Sequence, residues 1–166
     1  MTWIVLNEAA FLVNNQSTIP YSYILPKIHK GKTPSPGRPI VSGINSVLEP
    51  LSQFADCFLK PIVQSTPTYI RDTSDMLRVL DEVSFDPQMN LLLSLDVESL
   101  YTSIPQQAGL RILEEILYSV NWEYNTPQHF VLDCARLALT RNYFQFEKTF
   151  YLQKHVTSMG SAFALS

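Results

Sequence analysis

Apolar and polar residues follow one another along much of this chain with the period of an amphipathic α-helix. Apolar residues that recur every three to four positions lie on one face of a helix, and they predict that this face is buried. The pattern occurs in four segments: "LEPLSQFADCFLKPIV" from residue 48, "DTSDMLRVLDEV" from residue 72, "QQAGLRILEEILYSV" from residue 106 and "TPQHFVLDCARLALTRN" from residue 126. We therefore predict four helices.

Residues at the ends of these segments indicate where the helices begin and end. Asp72 or Thr73 is expected to cap the second helix, and Thr126 the fourth, because their side-chain oxygens can accept hydrogen bonds from unpaired backbone N–H groups. Pro127 would then occupy the first helical position of the fourth helix. Pro61 is expected to close the first helix. Its buried face would consist of Leu51, Phe54, Ala55, Phe58 and Leu59.

Two other segments have the pattern of β-hairpins. The first begins with "IPYSYILPKIHK", residues 19 to 30, turns in "GKTPSPG" and resumes at "RPIVSG". The second is "YFQFEKTFYLQ", in which aromatic residues lie on both sides of Glu147 and Lys148. These aromatic residues either pack against the core or stack on nucleic-acid bases, and packing is the commoner arrangement.

The segment "NLLLSLDV", residues 90 to 97, predicts a strand that is buried on both faces, because its apolar residues are almost continuous. One carboxylate, Asp96, lies at its end. A buried carboxylate is costly, so Asp96 should be hydrogen-bonded, face solvent at the end of the strand, or bind a cation. The order of the elements predicts an α/β or α+β fold around this central strand.

Length and composition agree with a single globular domain of 166 residues, of which 46% are hydrophobic and 16% charged. Cys57 and Cys134 both lie in helical segments, which indicates packed thiols in a reducing compartment. The apolar N-terminus carries Glu8 and no basic region, so it does not resemble a signal peptide. No stretch is long enough to span a bilayer, and we expect an intracellular protein with no membrane partner.

The net charge of −3 hides a strong asymmetry. No acid occurs between Glu8 and Glu49, where there are four cations: Lys27, Lys30, Lys32 and Arg38. The rest of the chain has eight cations and fifteen acids, a balance of −7. The basic segment is either a solvated loop or a surface that binds phosphate. An acidic cluster in the region of the second predicted helix is expected to face solvent: Asp72, Asp75, Asp81, Glu82 and Asp86.

Five short segments occur in the same order as in a known family of polymerases. They are "LPKIHKGKTPSPGRPIVSG", "FADCFLKPIV", "SLDVESLYTSIP", "NYFQFEKTFYLQ" and "SMGSAFA". Together they resemble the reverse transcriptases of Penelope-like retroelements, which are relatives of telomerase reverse transcriptase. The resemblance extends from about Tyr21 to the C-terminus. Each motif is short, but the ordered set is specific.

The resemblance implies an RNA-directed DNA polymerase with the right-hand fold, in which residues 1 to about 90 form mainly the fingers and residues from about 91 to 166 the first part of the palm. Its partners would be an RNA template, a DNA primer and deoxynucleoside triphosphates, and its place of action the nucleus. The family's second acidic pair, thumb and endonuclease do not occur in these residues. We therefore expect that the chain is a C-terminally truncated reverse transcriptase domain.

The resemblance also assigns roles to individual residues. Asp96 would bind the two catalytic magnesium ions, and Val97 would add its backbone carbonyl. Tyr101 would lie beneath the deoxyribose and exclude a 2′-hydroxyl. Lys27 and Arg38 would bind the triphosphate of the incoming nucleotide. Gly160 would allow the backbone to approach the nascent base pair.

One motif departs from the family. The segment that usually reads "GTAMGSAFAPS" has Val156 at its first glycine, and also differs at Ser158 and Leu165. A branched residue does not readily adopt positive φ. The alternative is therefore a non-catalytic nucleic-acid-binding module, or a degenerate remnant of the same fold.

Overall fold

The computed structural model describes residues 9–28, 31, 33–97 and 100–155. A helical turn at residues 9–12 comes first. The elements that follow are β1 (Ser22–Pro26), β2 (Gly37–Val41), α1 (Glu49–Gln64), α2 (Thr73–Glu82), α3 (Leu100–Ser103), α4 (Gln106–Ser119), α5 (Gln128–Thr140), β3 (Tyr143–Phe146) and β4 (Thr149–Leu152). Helices and strands are mixed, and both sheets are two-stranded and antiparallel.

The first hairpin is confirmed. β1 pairs with β2 so that Ser22 lies opposite Val41 and Pro26 opposite Gly37. One further hydrogen bond beyond the strands, from the backbone N–H of Lys27 to the carbonyl of Pro36 at 2.8 Å, continues the pairing. The two ends of the loop that joins the strands are therefore held together by a backbone hydrogen bond.

The second hairpin is also confirmed, with Glu147 in the left-handed region at φ +53° in its turn. It lies beside the first hairpin, because the backbone N–H of Gln145 donates to the carbonyl of Pro20 at 2.7 Å. Phe146 and Phe150 are 44% and 63% exposed, so the prediction that the aromatic residues of this hairpin pack in the core is wrong for these two. They lack a covering layer among the described residues.

The core lies between three helices. α5 packs against both α1 and α4, and the predicted apolar faces form the buried cluster. Its members are Phe54, Ala55, Leu59, Leu110, Leu117, Val131, Leu132, Cys134, Ala135 and Leu139.

Helix α1 continues past Pro61 to Gln64, so the prediction that Pro61 ends the helix is wrong. Proline removes one hydrogen bond from a helix, and packing of the last turn, including Ile62, against the core offsets this loss.

The predicted caps have different outcomes. The side chain of Asp72 accepts a hydrogen bond from the backbone N–H of Asp75 at 2.9 Å, so the cap of α2 is confirmed. For α5 the cap position is Pro127, one residue later than predicted, and no side chain caps this end. Thr126 is instead buried, with its carbonyl accepting a hydrogen bond from the indole Nε1–H of Trp122 at 2.7 Å.

The predicted buried strand at residues 90 to 97 is wrong for the described residues. No strand forms there, and the leucines of this segment are exposed: Leu91 80%, Leu92 75%, Leu93 71% and Leu95 93%. A strand needs a neighbour for its backbone hydrogen bonds and a layer on each apolar face. The described part of the chain brings neither to this segment.

The two cysteines lie in different environments. Cys134 is buried in α5, and burial raises the pKa of its thiol to about 11. Cys57, on α1, is exposed, so the prediction of a packed thiol is confirmed for Cys134 and wrong for Cys57. Cys57 occupies the solvent side of α1, whereas the neighbouring Phe54 and Phe58 face the core.

Candidate functional site

The first hairpin brings Lys27 and Arg38 together. Arg38 lies directly opposite Leu25, and Lys27 follows Leu25 by two residues. Cross-strand partners share a face of a hairpin, and so do residues two apart on one strand. The hydrogen bond from Lys27 N–H to Pro36 extends this alternation by one position, so both cations lie on one face.

Both cations are available to an anionic ligand. Arg38 is exposed and Lys27 is half-buried. Among the described residues, the ion pairs all lie in the helical part of the chain and involve neither of them. An ammonium and a guanidinium on the same face provide several N–H donors for a polyphosphate.

Asp96 lies in the segment of residues 91–97, which forms neither helix nor strand, and it is exposed. Val97, its neighbour, is 61% exposed. The described residues contain no group of three or more His, Cys, Asp or Glu side chains that could hold a metal ion. Asp96 and the Val97 carbonyl could contribute ligands to magnesium, but the described part of the chain does not complete a site.

The remaining predicted residues lie wholly or partly outside the part of the chain that the structure describes. The backbone of Tyr101 belongs to α3, but its side chain is not among those described. Gly160 and Val156 lie outside the described residues, as do Lys30 and Lys32 of the basic loop. The structure thus brings together Lys27 and Arg38, and does not bring Asp96 to a second acid among the residues described.

Sequence reasoning missed a cavity of about 310 Å³ at the start of α4. It is lined by Ser103, Pro105, Gln106, Gln107, Lys154 and His155. The cavity adjoins α3, since Ser103 is the last residue of that helix. Lys154 and His155, which follow β4, also line it. The basic pair at 154 and 155 was visible in the sequence, but its proximity to α4 depends on the return of the second hairpin.

The comparisons with known proteins give no relative. No protein-family model, no curated protein and no solved structure matches this chain. Within the described ranges, no helix has both the length and the apolar character needed to cross a membrane.

Proposed function

We propose that this chain is the fingers and the first part of the palm of an RNA-directed DNA polymerase. The observation that carries the proposal is the occurrence of five motifs in polymerase order. The position of Lys27 and Arg38 on one face of the first hairpin supports it, because a triphosphate needs convergent cationic donors.

In this proposal each site residue has one task. Lys27 supplies a compact charge, and Arg38 a planar fork that can donate two parallel hydrogen bonds to one phosphate. The ring of Tyr101 lies against the sugar, and Gly160 leaves room for the nascent base pair. Template and primer are held mainly through their backbones, because a polymerase must accept every sequence.

The proposed reaction is nucleotidyl transfer to a primer 3′-hydroxyl. Magnesium, when bound, would supply stabilisation of the negative charge that develops in this transfer. Asp96 would contribute one carboxylate to the magnesium site. A second acidic pair is also required, and the 166 residues contain no two adjacent aspartates. We therefore expect no primer extension by this chain alone.

The test is a chimera that joins residues 1–166 to the remaining palm and thumb of an active Penelope-like reverse transcriptase. We expect magnesium-dependent extension of a DNA primer on an RNA template. Asp96→Asn should reduce the rate at least about a thousandfold, because it removes a metal ligand. Extension that survives Asp96→Asn would contradict the proposed role of this residue.

The second candidate is a non-catalytic nucleic-acid-binding module, and Val156 at the family's glycine position favours it. The same chimera separates the two functions. A module would bind RNA equally well with and without Asp96→Asn and would extend no primer. Extension gained on Val156→Gly would instead assign the defect to this one residue and support the polymerase.

A further inference from the structure

The two hairpins carry aromatic side chains that the described structure leaves exposed. Tyr21, Tyr23 and Phe150 are 60%, 42% and 63% exposed. Aromatic rings are large and apolar, so a group of exposed rings indicates a surface that binds a partner. The sequence offered two roles for the aromatic residues of the second hairpin, packing in the core or stacking on bases, and Phe150 does not lie in the core.

Strand register places these three rings on one face. Tyr21 forms a parallel bridge with Gln145 of β3, and Gln145 lies opposite Phe150 of β4. Paired residues of a sheet point to the same side, so Tyr21 and Phe150 share a side and are roughly 10 Å apart, across two strand spacings. Tyr23 follows Tyr21 by two residues, and their ring centroids are 5.8 Å apart. We call these three residues the ring face.

The charges around the ring face indicate the chemistry of the partner. None of the four strands contains an acid, although the chain has fifteen. Along β1 the same face continues through Leu25 to Arg38 and Lys27. The turn of the second hairpin has one acid, Glu147, beside one cation, Lys148. A polyanion is therefore repelled less by this face than by the acidic rest of the molecule.

We propose that the ring face stacks the bases of an unpaired RNA strand. An aromatic ring stacks on every base, because every base has a π-face, and it reaches the base only when the strand is unpaired. The inference rests on the proposed function for the identity of the strand, which is the unpaired part of the RNA template. It adds a contact to the bases that is independent of sequence, as a polymerase requires.

Fluorescence anisotropy of the 166-residue chain tests the proposal, with a labelled single-stranded RNA and with the duplex of the same sequence. Tyr21→Leu and Phe150→Leu should each raise the Kd for the single strand at least about fivefold, the lower end of what one base–ring stack contributes. The Kd for the duplex should stay the same. The salt dependence should also stay the same, because a lost stack removes no phosphate contact.

The matched control is Phe146→Leu. Phe146 is 44% exposed on the same hairpin, but it is paired with Thr149 and so points to the other side of the sheet. This substitution should leave the Kd for single-stranded RNA unchanged, and Tyr21→Phe, which keeps the ring, should do so too. Equal weakening by Phe146→Leu, or affinity that is indifferent to the loss of Tyr21 and Phe150, would overturn the proposal.

Photocross-linking tests the unmodified chain, without any substitution. RNA that carries iodouridine cross-links to an aromatic ring stacked on the base, and mass spectrometry should find the label at Tyr21, Tyr23 or Phe150. A label found only elsewhere, or none because the chain binds no RNA, contradicts the ring face. Primer extension by the chimera judges the polymerase separately. Extension with an unlabelled ring face refutes this inference alone, whereas a labelled ring face without extension supports it and leaves a nucleic-acid-binding module.

Discussion

At the scale of single residues, Arg38 offers the sharpest test of the proposed nucleotide-binding role of the first hairpin. A guanidinium donates two parallel hydrogen bonds to one phosphate, whereas an ammonium acts as a point charge. In the active chimera, Arg38→Ala should remove about 2 to 4 kcal/mol of transition-state stabilisation. It should appear as a higher nucleotide KM, a lower kcat, or both, with Arg38→Lys in between.

Arg111→Ala provides the control, because Arg111 is a strongly exposed arginine on α4 whose ion pair with Glu115 is long, at 3.7 Å. Exposed pairs of this kind contribute little to stability. Nucleotide kinetics that respond equally to both substitutions would mean that Arg38 has no specific role.

Gly37 shows how a missing side chain shapes the same hairpin. A Cβ at this position would overlap the Cγ2 methyl of Ile24 on the facing strand. Gly37→Ala should therefore destabilise the hairpin by about 1 kcal/mol, since Ile24 is exposed and can partly rotate away. Backbone amides of β1 and β2 should exchange hydrogen about fivefold faster.

Gly109, inside α4, is the matched control for this substitution. The nearest heavy atom to a Cβ there is the Ile104 Cγ2 methyl at 3.7 Å, an ordinary contact. Gly109→Ala should stabilise α4 by up to about 1 kcal/mol, because alanine favours a helix over glycine. If Gly37→Ala also stabilises the protein, the close approach of the Ile24 methyl does not require glycine at position 37.

Part of the candidate site was predictable at this scale. The resemblance named Lys27 and Arg38, and the turn chemistry between them predicted a hairpin. That they share a face depends on register, which pairs Arg38 with Leu25, and loop composition alone does not specify register. Asp96 was predicted at the end of a strand, but its surroundings depend on groups distant in sequence.

At the scale of elements, a comparison of two leucines tests whether the apolar segment before α3 is packed in the protein. Leu95 is 93% exposed, whereas Leu117 of α4 is 1% exposed. Leu95→Ala should leave the free energy of unfolding unchanged within about 0.5 kcal/mol. Leu117→Ala should cost about 2 to 5 kcal/mol, because it opens a cavity. Denaturant unfolding followed by circular dichroism measures both, and a large loss at Leu95 would mean that this segment is packed.

The pH dependence of α2 tests its cap. The hydrogen bond from the backbone N–H of Asp75 lowers the pKa of the Asp72 carboxyl below its usual value. A lowered pKa means that the cap stabilises the helix above about pH 4 and that this contribution is lost as the pH falls through the folded-state pKa. The Cα chemical shifts of residues 73–82 should therefore lose helical character in acid.

Asp72→Asn isolates the cap from the other carboxylates of this region. Asparagine caps a helix about as well as aspartate but does not titrate. In this variant the acid-dependent loss of helical character should shrink. An unchanged pH profile would mean that the cap at Asp72 is not the cause of the acid-dependent loss.

The elements themselves were largely predictable, and the exception has a physical cause. Helical periodicity located α1, α2, α4 and α5, because each helix satisfies its own backbone hydrogen bonds. A strand depends on a neighbour whose position along the chain is not fixed by the strand's own sequence. The apolar run from residue 91 to 97 therefore predicted burial but did not identify a partner. The exposed apolar face of α2 follows the same logic, since periodicity identifies a face and not what covers it.

At the scale of the whole molecule, the core depends on α5, which packs against both α1 and α4. Two side-chain hydrogen bonds join α4 and α5. The amide of Gln106 donates to the carbonyl of Leu139 at 2.9 Å, and that of Gln128 to the carbonyl of Leu117 at 2.7 Å. Such contacts fix how the helices pack, and no pattern within a single segment predicts them.

Charge segregation across the molecule gives the last prediction, which concerns binding to single-stranded RNA. The body of the chain is acidic, so attraction to phosphate must come from the segment with Lys27, Lys30, Lys32 and Arg38. Each phosphate contact contributes about −0.7 to the slope of log K against log salt concentration, so four contacts give a slope near −3.

Fluorescence anisotropy with a labelled RNA between about 50 and 200 mM salt measures this slope. Replacing the four cations by glutamine should abolish measurable binding, because the remaining body repels phosphate. Replacing Lys60, Lys148, Arg111 and Arg136 by glutamine removes the same charge from other elements and should leave the slope near −3 while weakening binding only modestly. If the two sets of substitutions have equal effects, RNA responds to the net charge of the molecule, and the first hairpin is not its binding surface.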